Sequence, residues 1–378
     1  MGVDKERDVH PVLEPEEEGG EPTVIVKPLT DHERLVDFMS RFHASAKTKC
    51  LDLSGFQITE FLDYDGFRSG FKYVVSSGWF TRGLTNLVLS YNLLSTLPLS
   101  ISRLEALTAL DLRSNCLIAL PETLSSLTCL QTVDISFNNL TVLPCGLGAS
   151  PQIKSLIAHH NAFLLAPPHE ILKQGAAVVA RYLNGIHQAR KTGKLDWSGL
   201  GLCSLDTLLV MLPEGDAALV VELYLDDNLL TVLHPDVLSE LLNLEVIRCC
   251  RNYLVSVHPN LGAFCPRLEQ ITLDGNRISH MPASIGTLSG LLSLSMDDNP
   301  HMQSPPMEVC VKPSQLKIRW LREMHAAIAE KTADLSGFEL VDFPNAVCDV
   351  WEIETLNLSS NLLSKVSAGV RALTALTE

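Results

Sequence analysis

Asparagines that recur at a fixed interval constrain this chain more than any other feature of its sequence. Each ends a pattern of leucines or similar residues, L-x-x-L-x-L-x-x-N, and the pattern recurs every 23 or 24 residues in two series. The series end at Asn92, Asn115, Asn138 and Asn161, and at Asn228, Asn252, Asn276 and Asn299. A further match ends at Asn361. A repeat of this length is too small to bury its own apolar edge, so the sequence predicts an array in which stacked neighbours form the core.

The chemistry of one repeat predicts its structure. The L-x-L segment indicates a short strand whose leucines face inward. The asparagine side chain can satisfy backbone groups of the neighbouring turn that would otherwise be buried unpaired. The second half, as in Leu97-Pro98-x-x-Ile101-x-x-Leu104, has helical spacing and predicts a short helix or 3₁₀ turn on the convex side. This is the leucine-rich-repeat signature, so we expect an α/β solenoid, a horseshoe with parallel strands on its concave face.

The sequence also contains a longer repeat period, superimposed on the period of 23 or 24 residues. Lys-Thr pairs that begin at Lys47, Lys191 and Lys331 introduce similar segments, in which an apolar residue replaces the asparagine. Each segment follows a stretch with helical spacing of apolar residues. Pro-Pro pairs at 167–168 and 305–306 precede two of these stretches and predict the start of a longer helix. We therefore expect the solenoid to be interrupted by longer amphipathic helices, with a restart repeat after each.

These patterns divide the chain into five parts. They are an acidic disordered tail at 1–30, an N-terminal helix at 31–46, a first repeat block with its closing helix at 47–190, a second such block at 191–330 and an incomplete third block at 331–378. Because the third block stops without a cap, we expect Glu378 not to be the natural end. Residues 62–82 lengthen the first restart with aromatic side chains, which either form a binding loop or cover the open end of the block.

Charge and composition exclude several classes of protein. A net charge of −15 argues against a nucleic-acid binder, which needs a basic stripe for phosphates. The chain begins with acidic residues and no secretory signal, and no apolar stretch is long enough to cross a bilayer, so we expect no membrane insertion. The ten cysteines are irregularly spaced and include no CxxC pair. This spacing predicts reduced thiols in a cytoplasmic protein and no zinc site.

The repeats resemble those of a known group of proteins. Units such as Leu107 through Pro121 are similar to the intracellular leucine-rich repeats of Ras-suppressor and Scribble-type scaffolds and of plant intracellular Ras-group proteins. The segment Ala180-Arg181-Tyr182-Leu183 is similar to the helix that follows the repeats in several of them. The resemblance implies a non-enzymatic adaptor that binds small GTPases, phosphatase subunits or other proteins on its concave face. The helix-interrupted blocks depart from that group, so the resemblance names no partner.

Outward positions on the predicted strands supply the candidate binding residues. In the first block, exposed apolar groups there are typical of a protein-binding site or of scattered surface residues. The candidates in this block are Val88, Tyr91, Arg113, Phe137 and His160. Neighbouring strand residues point to opposite faces, so at most one of His159 and His160 should face outward, which disfavours a metal site.

The corresponding positions of the second block are strongly acidic. Eight acidic and two basic residues share the predicted face, which either steers a basic partner or is a solvated charged surface. The candidates in this block are Tyr224, Asp226, Asp227, Arg248, Arg251, Asp274, Asp297 and Asp298. We therefore expect protein partners, at least one of them basic, and no nucleic acid.

The sequence carries no signature of catalysis. The G-x-S-x-G, G-x-x-x-x-G-K-[ST] and H-E-x-x-H motifs are all absent, so we predict no catalytic residues, no metal and no cofactor. A non-enzymatic scaffold is thus the expected function. Two alternatives stay open. In the first, the chain is the recognition region of a larger enzyme, such as a Roco-type GTPase or kinase. In the second, it is a structural component of a cytoskeletal or ciliary assembly.

Overall fold

The computed structural model describes residues 10–12, 25–27, 31–59, 83–150, 152–212, 215–366 and 368–377. The six described residues of the acidic segment form an antiparallel pair, β1 (His10–Val12) with β2 (Ile25–Lys27). The rest of the predicted disordered tail and the aromatic segment 62–82 lie outside the described residues.

The chain divides into two compact units. Unit one comprises 1–164 with 175–180, and unit two comprises 165–174 with 181–378. The sheet of unit one has five parallel strands in chain order, β3 (Cys50–Asp52), β4 (Asn86–Val88), β5 (Ala109–Asp111), β6 (Thr132–Asp134) and β7 (Ser155–Ile157).

Unit two repeats this arrangement. Its five parallel strands are β8 (Lys194–Asp196), β9 (Glu222–Tyr224), β10 (Val246–Arg248), β11 (Gln270–Thr272) and β12 (Ser293–Ser295). A further parallel pair consists of β13 (Thr332–Asp334) and β14 (Thr355–Asn357). Parallel strands joined through helical segments are the predicted leucine-rich-repeat architecture, and the fold class is confirmed.

Helices connect the strands. In chain order they are α1 (Asp31–Thr48), α2 (His169–Leu172), α3 (Ala176–Thr192), α4 (Leu208–Met211), α5 (Pro235–Glu240), α6 (Leu261–Phe264), α7 (Met307–Cys310), α8 (Ser314–Ala329) and α9 (Asn345–Cys348). Other repeats use 3₁₀ turns at Leu99–Arg103, Glu122–Ser126, Cys145–Ala149, Ala217–Leu219, Ala283–Thr287 and Ala368–Ala372.

The core of each unit is a stack of inward-facing strand residues. In unit one, Leu87, Leu110 and Val133 lie opposite one another on adjacent strands and are buried. Leu223 and Ile247 occupy the same place in unit two. Each buried aliphatic side chain contributes about 1.5–3 kcal/mol to folding, so the periodic leucines supply most of the driving force.

The repeat asparagines hold the turns together as predicted. The Asn115 amide donates to the carbonyls of Leu89 and Leu112 at 2.9 and 3.0 Å. Its Oδ1 accepts the backbone N–H of Leu94 at 3.0 Å. One buried side chain therefore satisfies its own repeat and the preceding one.

In two of the restart repeats, an arginine from the preceding long helix lies over the residue that replaces asparagine. In unit one, Arg41 of α1 lies 4.9 Å from the ring of Phe56 and forms an ion pair with Asp52 at 3.6 Å. In unit two, Arg319 of α8 lies 4.9 Å from the ring of Phe338 and pairs with Asp334 at 3.5 Å. The apolar residue that replaces asparagine thus serves as the docking point for the helix.

The segments that follow the two Pro-Pro pairs differ in one respect from expectation. The Pro-Pro pairs do not start a long helix directly, because each is followed by one helical turn, α2 or α7, before the long helix. Gly175 separates α2 from α3 with a left-handed φ of +94°. Pro313 separates α7 from α8, since it has no N–H with which to continue the preceding turn.

Candidate functional site

The residue before each repeat asparagine has a left-handed backbone. Its φ is 57° at Tyr91 and 55° at Phe137, a region that bulky side chains rarely adopt. Both side chains are about half exposed, at 57% and 47%. This position holds Tyr91, Ser114, Phe137 and His160 in unit one and Asp227, Arg251, Gly275 and Asp298 in unit two. We call Tyr91, Phe137 and His160 the aromatic row.

The end of the aromatic row is a ring cluster. The rings of Phe137 and His160 stack at 4.2 Å, and the ring of His159 meets that of Phe137 edge-on at 5.5 Å. The expectation that only one histidine faces outward is wrong, because both are exposed. Strand β7 ends at Ile157, and the left-handed φ of His160 breaks the alternation of side chains. Within the described part of the chain, no three histidine, cysteine or carboxylate side chains are grouped to hold a metal ion.

Arg113 lies beside the aromatic row. Its guanidinium carbon is 5.1 Å from the centre of the Tyr91 ring, within the range of a cation–π contact. Its Nε is buried and has no hydrogen-bond partner among the described residues. Sequence analysis placed Arg113 on this face but could not show that the cation is unpaired.

A shallow groove of about 160 Å³ runs across strands β4 to β7 of unit one. Val88 and Ile157 contribute apolar surface to it, and Asp111 and Asp134 contribute carboxylates. Val88 is half-buried, so it offers less surface than the residues of the aromatic row. Of the predicted unit-one residues, Val88 lines this groove, whereas Tyr91, Arg113, Phe137 and His160 lie in the turns that follow strands β4 to β7.

The unit-two face is held together by its own charges. Tyr224 donates a 2.8 Å hydrogen bond to Glu222, and Lys194 lies 3.8 Å from the Glu222 carboxylate and 4.1 Å from the Tyr224 ring. Burial, followed by the hydrogen bond to Glu222, raises the pKa of the Tyr224 hydroxyl. Lys194 was missed by sequence reasoning, although alignment of the restart repeat with its neighbours places it on this face.

Two arginines of this face are also paired. Arg248 forms an ion pair with Asp226 at 2.9 Å, and the other oxygen of Asp226 accepts the backbone N–H of Cys250 at 2.7 Å. Asp226 is buried, which makes it a structural group rather than the exposed one that the sequence suggested. Arg251 binds both oxygens of Asp227, and this hydrogen bonding lowers the pKa of the Asp227 carboxyl.

The remaining carboxylates of unit two differ in their partners. Asp274 accepts hydrogen bonds from the Ser295 hydroxyl at 2.6 Å and from the backbone N–H of Asp297 at 2.8 Å. Asp297 pairs at 3.0 Å with Lys317, whose side chain is buried on α8. Asp298 is exposed. Four of the eight acidic residues expected on this face, Glu222, Asp226, Asp227 and Asp297, thus form ion pairs, and the acidic strip is neutralised in part. Lys317 could not have been found from the strand pattern because it comes from a separate helix.

Buried cysteines of unit two are poorly suited to nucleophilic chemistry. Burial raises the pKa of the Cys265 thiol to about 12 and that of the Cys310 thiol to about 11. Both thiols are thus protonated at neutral pH, and the thiolate is the reactive form.

The described helices include none that is both long enough and apolar enough to cross a membrane.

Comparison with known proteins agrees with the repeat architecture. The family described as "Leucine rich repeat" matches residues 82–140 and 219–278. No curated protein matches the chain by sequence.

Several solved structures are similar. A leucine-rich-repeat protein of Leptospira interrogans is 20% identical, with 89% of this chain and 85% of that one covered and a TM-score of 0.29. An internalin of Listeria monocytogenes is 14% identical, with 91% and 93% covered and a TM-score of 0.29. The ectodomain of a membrane receptor kinase from Arabidopsis thaliana is 20% identical, with 87% and 38% covered and a TM-score of 0.26. Scores this low say nothing of function. The family match and the observed sheets together identify the repeats of this chain as leucine-rich repeats, on an α/β solenoid fold.

Proposed function

We propose that this chain is a non-enzymatic scaffold or adaptor that binds a protein partner at the strand face of unit one. Leucine-rich repeats generally mediate protein–protein interaction and are typically non-enzymatic. The observation that supports a site on this face is the exposure of Tyr91 and Phe137 at left-handed backbone positions.

The left-handed position favours small or flexible residues. A bulky residue there costs on the order of 1–3 kcal/mol, whereas glycine, as at Gly275, adopts the same φ without strain. In the free protein the Phe137 ring packs against His160 and the Tyr91 ring meets Arg113, but both side chains stay about half exposed. Because every repeat has this backbone, the side chain and not the strain distinguishes the unit-one face, and exposed aromatic side chains are frequent binding hot spots.

The cellular setting is part of the proposal and rests on the sequence alone. An acidic cytoplasmic adaptor that resembles Ras-suppressor and Scribble-type scaffolds fits signalling through small GTPases or phosphatases. A basic partner for unit two is a weaker prediction, because Lys194, Arg248 and Lys317 already occupy carboxylates of that face. Glu269 and Asp298 are exposed carboxylates without an ion pair among the described residues, and they are the groups available to such a partner.

A matched pair of variants tests the proposed site. Phe137→Ala removes a ring of the cluster, and Phe163→Ala removes an even more exposed phenylalanine outside it. We expect quantitative affinity purification with the full chain to show at least one protein that is lost from Phe137→Ala and kept by Phe163→Ala. Circular dichroism checks that both variants fold. Identical sets of bound proteins for the wild type and both variants would show that the unit-one face is not the binding site.

A further inference from the structure

The guanidinium of Arg113 is an unused charge in the middle of the unit-one face. One side of it rests near the Tyr91 ring, and its buried Nε has no hydrogen-bond partner. It forms no ion pair with any carboxylate in the part of the chain that the structure describes. A guanidinium offers five N–H donors, and a partly buried charge without an acceptor is costly. Arg113 is therefore equipped to bind an acceptor from outside the chain.

The nearest carboxylates on the same face are engaged by their own turns. Asp111 accepts the backbone N–H of Arg113 at 3.0 Å. Asp134 accepts the backbone N–H and the hydroxyl of Ser136, at 3.0 and 2.6 Å, through one oxygen. Among the described residues, neither aspartate forms an ion pair with the Arg113 guanidinium. In unit two, by contrast, Arg248 and Arg251 both bind neighbouring aspartates.

The surroundings of Arg113 define the chemistry of an occupant. The guanidinium lies beside the half-exposed Tyr91 ring, and a shallow groove extends across the four strands of this face. We infer that the unit-one face binds a protein segment in which a carboxylate stands beside an apolar or aromatic side chain. Arg113 pairs with the carboxylate, whose two oxygens match the guanidinium fork. The apolar side chain packs against Tyr91 or Phe137. This inference rests on the proposed function and names its partner class.

Selection from a random peptide library tests the inference. A displayed library of random 12-residue peptides is panned against the full chain, and the best enriched peptide is synthesised with its acidic residue and with the matching amide. Fluorescence anisotropy then gives the dissociation constants for the wild type, Arg113→Gln and the paired-arginine control Arg248→Gln. We expect enriched peptides to carry an acidic residue next to an apolar one. Loss of either the carboxylate or Arg113 should weaken binding about tenfold, and loss of both should weaken it little further.

A charge-exchange experiment tests whether misfolding is the cause of weaker peptide binding. Arg113→Glu should reject the acidic peptide and accept its Glu→Lys counterpart, which an unfolded variant cannot do. Enrichment of neutral or basic peptides, an empty selection, or an unchanged dissociation constant in Arg113→Gln would overturn the inference. Peptides whose binding needs Phe137 but not Arg113 would overturn it while supporting the proposed function. Peptides that need neither residue would count against both.

Discussion

In unit one, the strand face carries exposed aromatic rings and an arginine without an ion pair among the described residues, whereas in unit two the corresponding face carries arginines and aspartates that bind one another. The two faces share their strand length, their parallel register and their asparagine turns. The fold therefore depends on the inward residues and leaves the outward ones free to differ. Charged side chains that are paired within the chain stabilise the fold, whereas those without such a pair are available to a partner.

The largest expected effect on stability comes from the repeat asparagines, which the two units share. Asn115 and Asn276 each accept one backbone N–H and donate to two carbonyls at 2.8–3.0 Å, and each also donates to a third carbonyl at 3.4 or 3.3 Å. Replacing either by alanine leaves several buried backbone groups unpaired, so we expect each to lower the free energy of unfolding by about 3–5 kcal/mol. Urea denaturation followed by circular dichroism measures the loss. The control is Asn139→Ala, which replaces an exposed asparagine. If Asn115→Ala or Asn276→Ala lowers the free energy of unfolding no more than this control does, the asparagine turns do not stabilise both units alike.

A smaller effect on stability should distinguish the paired charges of unit two from Arg113 of unit one. Asp226→Ala leaves the partly covered Arg248 and the N–H of Cys250 without their acceptor. We expect it to lower the unfolding free energy by about 2 kcal/mol.

Arg113→Ala has no ion pair to lose and should cost no more than about 1 kcal/mol, from its contact with Tyr91. The same denaturation measurement compares the two variants. Equal costs would mean that the charges of unit two hold its face together no more than those of unit one do.

The smallest expected effect is a titration. The hydrogen bonds from Arg251 lower the pKa of Asp227, so the ionised form is favoured in the folded state. The pair then stabilises unit two above the pKa of an unfolded aspartate, and this contribution is lost as the pH falls through the lowered folded value. Because both side chains are largely exposed, the change in stability is small. NMR titration of the Asp227 carboxyl should show its pKa rise in Arg251→Ala, and an unmoved midpoint would contradict the pairing.

The fold could be predicted from sequence because its determinants are periodic. The strands, the asparagine turns and the outer helical turns all follow from residues such as Leu110 and Asn115, whose spacing repeats along the chain. The candidate site was predicted only in part. Exposed aromatics at Tyr91 and Phe137 follow from the repeat position, but their left-handed backbone does not follow from strand alternation.

Charge pairing was less accessible to sequence analysis. Counting acidic residues suggested an open acidic face in unit two, yet Lys317 reaches Asp297 from helix α8, 20 residues further along the chain. The Asp227–Arg251 pair, by contrast, follows from the repeat, because the two residues precede the asparagines of adjacent repeats. A pair such as Asp297–Lys317 depends on how a separate helix packs, which the repeat pattern does not encode.

Site-specific photo-crosslinking tests the central claim most directly. A benzoylphenylalanine placed at Phe137 keeps an aromatic ring on the unit-one face, and the same group at Tyr224 samples the unit-two face. After irradiation in cells, the account predicts a covalent adduct with a partner protein from position 137 and none from position 224. Adducts from position 224 alone, or equal adducts from both, would contradict the assignment of binding to the unit-one face.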